Sequence, residues 1–295
     1  MIVAVASGKG GAGKTSIAAA LAAALGPACI LADCDVDAAN GAIALGACIR
    51  ETEPYFAGPG FRIDTAVCTN CGLCANACRF NAIKINAAPA RTAIIPELCE
   101  RCGACVDRCP TGAIKSFEKQ AGKLFVSDTR IGIPLIHAEL VPGEDTSGKL
   151  VRKVRERAEA IAEKQTVTII DAPPGIGCPV IASLSGTDFV LIVVESSSSG
   201  IHDAERLIGL VLSMKRSALA LINKSGLCAQ MDDRAKSMLA SAGIPLVGII
   251  PFDPALRSVE EQGHTWIDVE GGSGDIVRKA LAAAQDLFAK SAKNL

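Results

Sequence analysis

Aromatic side chains are scarce in this chain of 295 residues: eight Phe, one Tyr and one Trp. A surface that stacks bases or sugars needs more of them, so that mode of recognition is disfavoured. An excess of charge of one sign is also missing. Thirty Lys and Arg stand against 31 Asp and Glu, for a formal net charge of −1. That balance lacks the basic footprint of a nucleic-acid binder, and no nucleic-acid partner is expected. Histidine is limited to His137, His202 and His264, which show no metal-ligand spacing. Stable membrane insertion is not expected either, because the alanine-rich run after Thr15 breaks at Gly26-Pro27. Ile2–Ala6 is too short for a signal peptide. Ser196–Ser199 reads as a loop, without the Gly-x-Ser-x-Gly elbow of a nucleophile.

Cysteine, in contrast, is abundant, with thirteen residues. Eight of them form two ladders, Cys68-x2-Cys71-x2-Cys74-x3-Cys78 and Cys99-x2-Cys102-x2-Cys105-x3-Cys109-Pro110. This is the ligand run of bacterial ferredoxins, in which three close thiolates grip one [4Fe–4S] cube and the fourth ligates the other. Cys68, Cys71, Cys74 and Cys109 are therefore expected on one cluster, and Cys99, Cys102, Cys105 and Cys78 on the second. Two interleaved ladders disfavour zinc, and with no signal peptide they point to reduced thiols in the cytoplasm. One departure is Arg79, which follows Cys78 where proline would shape the turn. The ladders, each followed by an Ala-Ile pair, form an internal repeat of about 31 residues. From Cys68 to Val126, eight basic residues (Arg79, Lys84, Arg91, Arg101, Arg108, Lys115, Lys119, Lys123) exceed four acidic ones (Glu97, Glu100, Asp107, Glu118). That excess would offset two anionic cubes, or it is simply solvated charge.

Near the N-terminus, Gly8-Lys9-Gly10-Gly11-Ala12-Gly13-Lys14-Thr15-Ser16 reads as a phosphate-binding loop between a strand, Ile2–Ala6, and a helix, Ser16–Leu25. Backbone N–H groups wrap a phosphate where side chains are absent, and the helix N-terminus adds partial positive charge. Lys14 should reach the β- and γ-phosphates and Thr15 should place its hydroxyl on Mg²⁺. Val167–Ile170 is an apolar strand ending at Asp171, placed for a water-mediated hold on Mg²⁺. Strand-like runs also occur at Ala28–Ala32, Pro134–Val141, Phe189–Val194, Ala218–Ile222 and Leu246–Ile250, with helical segments between them. The texture changes at about Tyr55 and resumes after Asp128, with a short hairpin expected around Ala87-Ala88-Pro89. The expected organisation is a discontinuous α/β ATPase domain, 1–57 and 128–295, interrupted by a small α+β domain at 58–127 that carries the ladders.

The loop Lys9–Thr15 resembles the deviant phosphate loop of the MinD/ParA/nitrogenase-iron-protein class, most closely MinD-superfamily ATPases with an inserted ferredoxin domain. Asp33-x-Asp35, Gly143–Val151, Asp171–Cys178, Asn223-Lys224 and Pro251-Phe252-Asp253 extend the likeness over essentially the whole chain. The resemblance implies a doubly wound, mostly parallel sheet and two subunits sandwiching two ATP molecules. It implies that Lys9 crosses to the partner's phosphates, Asp35 activates the attacking water and Asp33 assists the Mg²⁺ shell. Asn223 would read adenine, with Lys224, Pro251 and Asp253 beside the nucleotide. The partner would be a second copy or a paralogous ATPase, together with an unidentified redox or acceptor protein.

Five cysteines stand outside the ladders. Cys29 and Cys228 read as small buried hydrophobes, and no specific role attaches to Cys34 or Cys48. By the same resemblance, Cys178 occupies the offset of one ligand of the nitrogenase iron protein's intersubunit cluster. The second position falls near Thr146 and holds no cysteine, so Cys178 either packs or meets its symmetry mate. The expected function is an ATP-gated electron carrier or switch. A metallocluster assembly or carrier ATPase and MinD/ParA-like spatial positioning are the alternatives. Against positioning, Asp275–Leu295 reads as a helix that packs on the core through Ile276, Val277, Ala280, Leu281, Ala284, Leu287 and Phe288.

Overall fold

The computed structural model describes residues 1–85, 92–144, 147–163 and 166–292. The chain divides into two compact units. One comprises Met1–Glu53, Lys123–Glu139 and Ser147–Leu295; the other comprises Pro54–Gly122 and Leu140–Thr146. The expected insertion, 58–127, differs from the second unit at both ends, and the short return Leu140–Thr146 was not foreseen. That return lies apart in sequence, so no local shift of texture announces it.

Apolar segments with little polar alternation must be covered on both faces, and here they build most of a largely parallel sheet. Its strands run, in spatial order, Leu246–Pro251, Ser217–Ser225, Phe189–Glu195, Ile2–Ala6, Val167–Asp171, Cys29–Asp33, Pro134–Leu140, Ile114–Asp128 and Cys48–Ile63. The six pairings from Leu246–Pro251 to Pro134–Leu140 are all parallel. Register matters most at one point. Asp33 pairs with Asp171, so two carboxylates lie side by side at the C-terminal edge of the strands. Open α/β sheets bind ligands at that edge.

Helix Lys14–Leu25 is buried from Ile17 to Ala22, which explains its alanine: a helix apolar on all sides lies inside, and small side chains let it approach the sheet. It shares its core with Leu31, Ile169, Leu191 and Trp266, and with the C-terminal helix Gly272–Ala292 through Val277, Leu281, Ala284 and Phe288. Ile276 departs from expectation and is 37% exposed. Ser196–Ser199 is not simply a loop, because Ser198 opens the helix Ser198–Ser213 and Ser197 caps it by accepting from the Gly200 N–H. A further helix runs Ser147–Ile161. The long strands Cys48–Ile63 and Ile114–Asp128 escaped sequence reading, since charged and polar residues interrupt both.

In the second unit, Ile83–Ile85 and Thr92–Ile94 pair antiparallel. The hairpin tip, Ala87-Ala88-Pro89, and Arg91 lie outside the described residues. Two short helices follow the ladder starts, Leu73–Ala77 and Ala104–Asp107. The buried core cluster of this unit contains Cys74, Ile83 and Ile114.

Candidate functional site

A cavity of about 840 Å³ lies against the phosphate loop and suits a nucleotide-sized ligand. Gly10, Gly11, Gly13, Lys14, Thr15, Ser16 and Asp35 line it, as do Pro173, Pro174, Gly177 and Glu260. Gly13 has φ of 93°, and a Cβ there would stand 2.5 Å from Asn223 Nδ2. Gly8 is equally constrained, since a Cβ would meet the Asp203 backbone at 2.2 Å. A Gly13→Ala chain therefore combines left-handed strain with a clash. It is expected to bind fluorescent ADP at least about ten-fold more weakly than wild type.

Lys14 is buried at the helix start, with Asp33, Asp35 and Asp171 as its charged surroundings. Thr15 Oγ1 donates to Asp171 Oδ2 at 2.6 Å. The other oxygen, Oδ1, is buried without a partner among the described residues, which fits a carboxylate that meets a hydrated cation. Burial first, then the Asp33 charge, pushes the Asp171 carboxyl well above the usual range. Asp33 is also raised, mainly by burial. Its oxygens are already engaged, Oδ1 by the Asp35 N–H at 3.0 Å and Oδ2 by the Gly41 N–H at 2.9 Å. Asp33 therefore shapes the loop that carries Asp35 into the cavity.

Several expected residues stand behind the loop. Asn223 Nδ2 donates to the Ala12 carbonyl at 2.8 Å, and Lys224 Nζ to the Gly11 carbonyl at 2.7 Å. Lys9 Nζ pairs with Glu195 Oε1 at 2.7 Å and donates to Ser199 Oγ at 3.1 Å. Glu195 also accepts from Lys224 and Ser197, and these donors hold its carboxyl below the usual range despite burial. Pro251 ends a strand. Asp253 Oδ1 accepts from the Ala255 N–H and caps helix Pro254–Glu261, whose far end delivers Glu260 and Glu261 to the cavity. An Asp-Pro pair is the signal that could have marked this helix start; the positions of Glu195 and Glu260 left no such signal.

The ladders converge on two small cavities. Cys68, Cys71, Cys74 and Cys109 line one; Cys78, Cys99, Cys102 and Cys105 line the other. The backbone repeats at an offset of 31 residues. Left-handed φ recurs at Asn70 and Arg101 (60° and 55°), Gly72 and Gly103 (77° each), and Asn81 and Gly112 (53° and 61°). Hydrogen bonds repeat likewise: Asp64 N–H to Ala113 O and Ile95 N–H to Ala82 O, at 2.8 and 2.7 Å. The sulfurs of Cys78 and Cys109 accept from the N–H four residues on, at 3.4 and 3.2 Å, and Cys68 Sγ accepts from the Asn70 N–H at 3.4 Å. At Cys109 the Thr111 hydroxyl and the Ala113 and Ile114 amides hold the thiol below its usual range. Burial raises Cys74 and Cys105, the matching third positions. Among the described residues, no three His, Cys, Asp or Glu side chains converge tightly enough for a single metal ion. Four thiols spread around a cavity suit a cluster whose irons each take one thiolate.

Of the other cysteines, Cys29 is buried, its thiol pushed up to about 12 by burial. Cys228 is exposed, not buried as expected, because it stands at the cap before helix Ala229–Ser241. Cys178 is exposed at the start of helix Cys178–Leu184; Thr146 lies outside the described residues.

Residues 3–266 match the CobQ/CobB/MinD/ParA nucleotide binding domain. The uncharacterized protein MJ0578 of Methanocaldococcus jannaschii is 36% identical over 232 residues, 77% of this chain and 79% of that protein. Among solved structures, the septum site-determining protein MinD of Pyrococcus horikoshii, complexed with Mg-ADP, superposes with a TM-score of 0.60 at 19% identity. That superposition covers 97% of this chain and 96% of MinD. An ATP complex of a McdA variant from Cyanothece gives 0.58 at 18% identity over 98% and 96%. At those identities the structures show a shared fold.

Proposed function

Because this chain belongs to the CobQ/CobB/MinD/ParA nucleotide-binding family, we propose that it is a Mg²⁺-dependent ATPase that dimerises around ATP. We further propose that its second unit is an inserted two-[4Fe–4S] ferredoxin domain coupling nucleotide state to electron transfer. One observation carries the reading: a phosphate-loop cavity and two four-cysteine cavities share one chain. Bound clusters would supply one-electron transfer; the chain's own residues do the rest. Lys14 neutralises the phosphates, Thr15 and Asp171 hold the Mg²⁺ shell, and Asp35 orients the attacking water from the cavity wall. Lys9 has to leave Glu195 before it reaches a partner's phosphates. Phosphoryl transfer depends on such positioning and charge neutralisation more than on covalent chemistry.

The raised Asp171 carboxyl gives a pH signature. In the free protein the folded carboxyl keeps its proton at pH values where the unfolded one has lost it. The resulting stability is full below the ordinary carboxylate pKa and is lost as pH climbs to the raised value. A cation at Oδ1 expels that proton. Mg²⁺-ADP binding is therefore expected to release about one proton at neutral pH and to tighten as pH rises. Calorimetry in two buffers of different ionisation enthalpy measures the release; none would remove Asp171 from the Mg²⁺ shell.

EPR-monitored redox titration of the anaerobic protein, with and without MgATP under slow hydrolysis, tests the coupling. A nucleotide-dependent shift supports an ATP-gated redox switch. Identical titrations sink direct tuning of the clusters by ATP.

The comparisons favour a second reading, spatial positioning. Solved relatives are named for septum-site determination and cell division, and the fold is theirs. Co-sedimentation with anionic vesicles that requires ATP would favour this reading over electron transfer.

A further inference from the structure

The two cysteine cavities are not equivalent, and the difference centres on Arg101. Its counterpart in the first half of the repeat, Asn70, hydrogen-bonds the Thr92 hydroxyl, and both line a cavity wall with no cation. Arg101 stands between Cys99 and Cys102 in a left-handed conformation that costs a non-glycine residue strain, and it lines the second cavity. Glu144 holds it there. The Arg101 Nη2 and Lys119 Nζ both pair with this carboxylate, whose side chain is only 3% exposed. Arg101 Nη1 is buried and has no partner among the described residues. A buried guanidinium N–H left unpaired, on a residue that lines the four-cysteine cavity, is a donor waiting for an anion.

Glu144 is also well connected along the chain. Its segment, Leu140–Thr146, is anchored within the second unit by the Val141 N–H on the Ala121 carbonyl at 2.9 Å. In sequence, Asp145 and Thr146, outside the described residues, separate Glu144 from helix Ser147–Ile161. There Arg155 Nη1 donates to the Ala182 carbonyl at 2.6 Å, and a Cβ on Gly148 would stand 3.7 Å from Cys178. Cys178 opens the helix whose Gly177, Pro179 and Val180 line the nucleotide cavity. A shift of that helix on nucleotide binding would therefore pull on the segment carrying Glu144.

We propose that Glu144 is a positioning residue that sets the Arg101 donor on the cluster held by Cys78, Cys99, Cys102 and Cys105, and that nucleotide state reaches this one cluster through it. The inference rests on the two-cluster reading above. A cation donor favours the more negative, reduced cluster, so the device raises the affinity of that cluster for an electron.

The test uses the full chain, reconstituted anaerobically and titrated with dithionite under EPR, with and without Mg²⁺ and a non-hydrolysable ATP analogue. In wild type, nucleotide should move one of two redox waves and leave the other in place. Arg101→Met should lower the reduced-to-oxidised ratio of that cluster about ten-fold at fixed potential, a shift of about −59 mV for one electron. Arg101→Lys, which keeps charge, should recover part of it. Glu144→Gln should retain about eight irons per chain and wild-type binding of fluorescent ADP, yet lose the nucleotide shift. If Glu144→Gln loses iron, Lys119→Gln, which spares the Arg101 pair, should keep the shift. A nucleotide shift that survives in Glu144→Gln, or one that moves both waves, overturns the proposal. So does an Arg101→Met chain with unchanged waves. Reconstitution that yields no cluster signal in wild type overturns the two-cluster reading itself, whereas intact clusters blind to nucleotide overturn only the coupling.

Discussion

A Lys14→Ala chain is expected to hydrolyse ATP about 10²–10³-fold more slowly than wild type, and to bind nucleotide more weakly as well. The argument is electrostatic. Lys14 is buried at the mouth of helix Lys14–Leu25, and Asp33, Asp35 and Asp171 all feel its charge. Remove the cation, and three carboxylates face an incoming polyphosphate with only a helix N-terminus and Mg²⁺ to offset them. The same loss removes a fixed counter-charge from the γ-phosphate in the transition state, where it counts most. Lys14→Arg is no rescue, because a guanidinium is too bulky for a side chain 5% exposed between loop and sheet. Phosphate release and fluorescent-ADP titration measure the two effects separately. Hydrolysis at the wild-type rate would remove Lys14 from the catalytic set.

On the two-cluster reading proposed above, stripping iron from the anaerobic protein is expected to melt Pro54–Gly122 and to leave the α/β unit folded. The reason lies in how little the smaller unit buries. Its core cluster, among the described residues, is Cys74, Ile83 and Ile114, with Phe61, Ile63 and Ile94 only partly covered. Ordering each residue costs roughly 1–2 kcal/mol of backbone entropy, which so few apolar contacts cannot offset. Small domains of this kind depend on metal or disulfide bonds, and metal affinity then becomes folding free energy. Exchange measurements by hydrogen–deuterium labelling should show protection lost in Pro54–Gly122 alone. Single ligands extend the test. Cys109→Ser should abolish the cluster of the first ladder and Cys78→Ser that of the second, reversing what sequence proximity suggests, because each fourth cysteine lines the other cavity. Full protection in the iron-free chain would show that the unit folds without clusters and count against the redox reading.

The sequence by itself determined whatever depends on local order. Gly8–Thr15 between an apolar strand and helix announced a phosphate loop, since φ near 90° at Gly13 is a demand on one residue. Strand positions from Ile2–Ala6 to Leu246–Pro251 were visible because strands buried on both faces are uniformly apolar. The ladder spacing grouped the first three cysteines of each run, as close positions on a short turn are fixed by the chain, while the fourth lines the other cavity. The strands Cys48–Ile63 and Ile114–Asp128 stayed hidden because charged and polar residues break their apolar pattern.

Tertiary structure alone decided how distant groups meet. Register placed Asp33 beside Asp171, and burial then turned Asp33 toward the Asp35 and Gly41 amides. Packing of Asn223 and Lys224 under the loop gave their donors to the Ala12 and Gly11 carbonyls. Lys9 found Glu195, 186 residues away, and Arg101 found Glu144 across 43. No composition or spacing encodes such partners. Coulomb energy depends on distance in space and on the water excluded between charges, and both arise only when the chain has closed on itself.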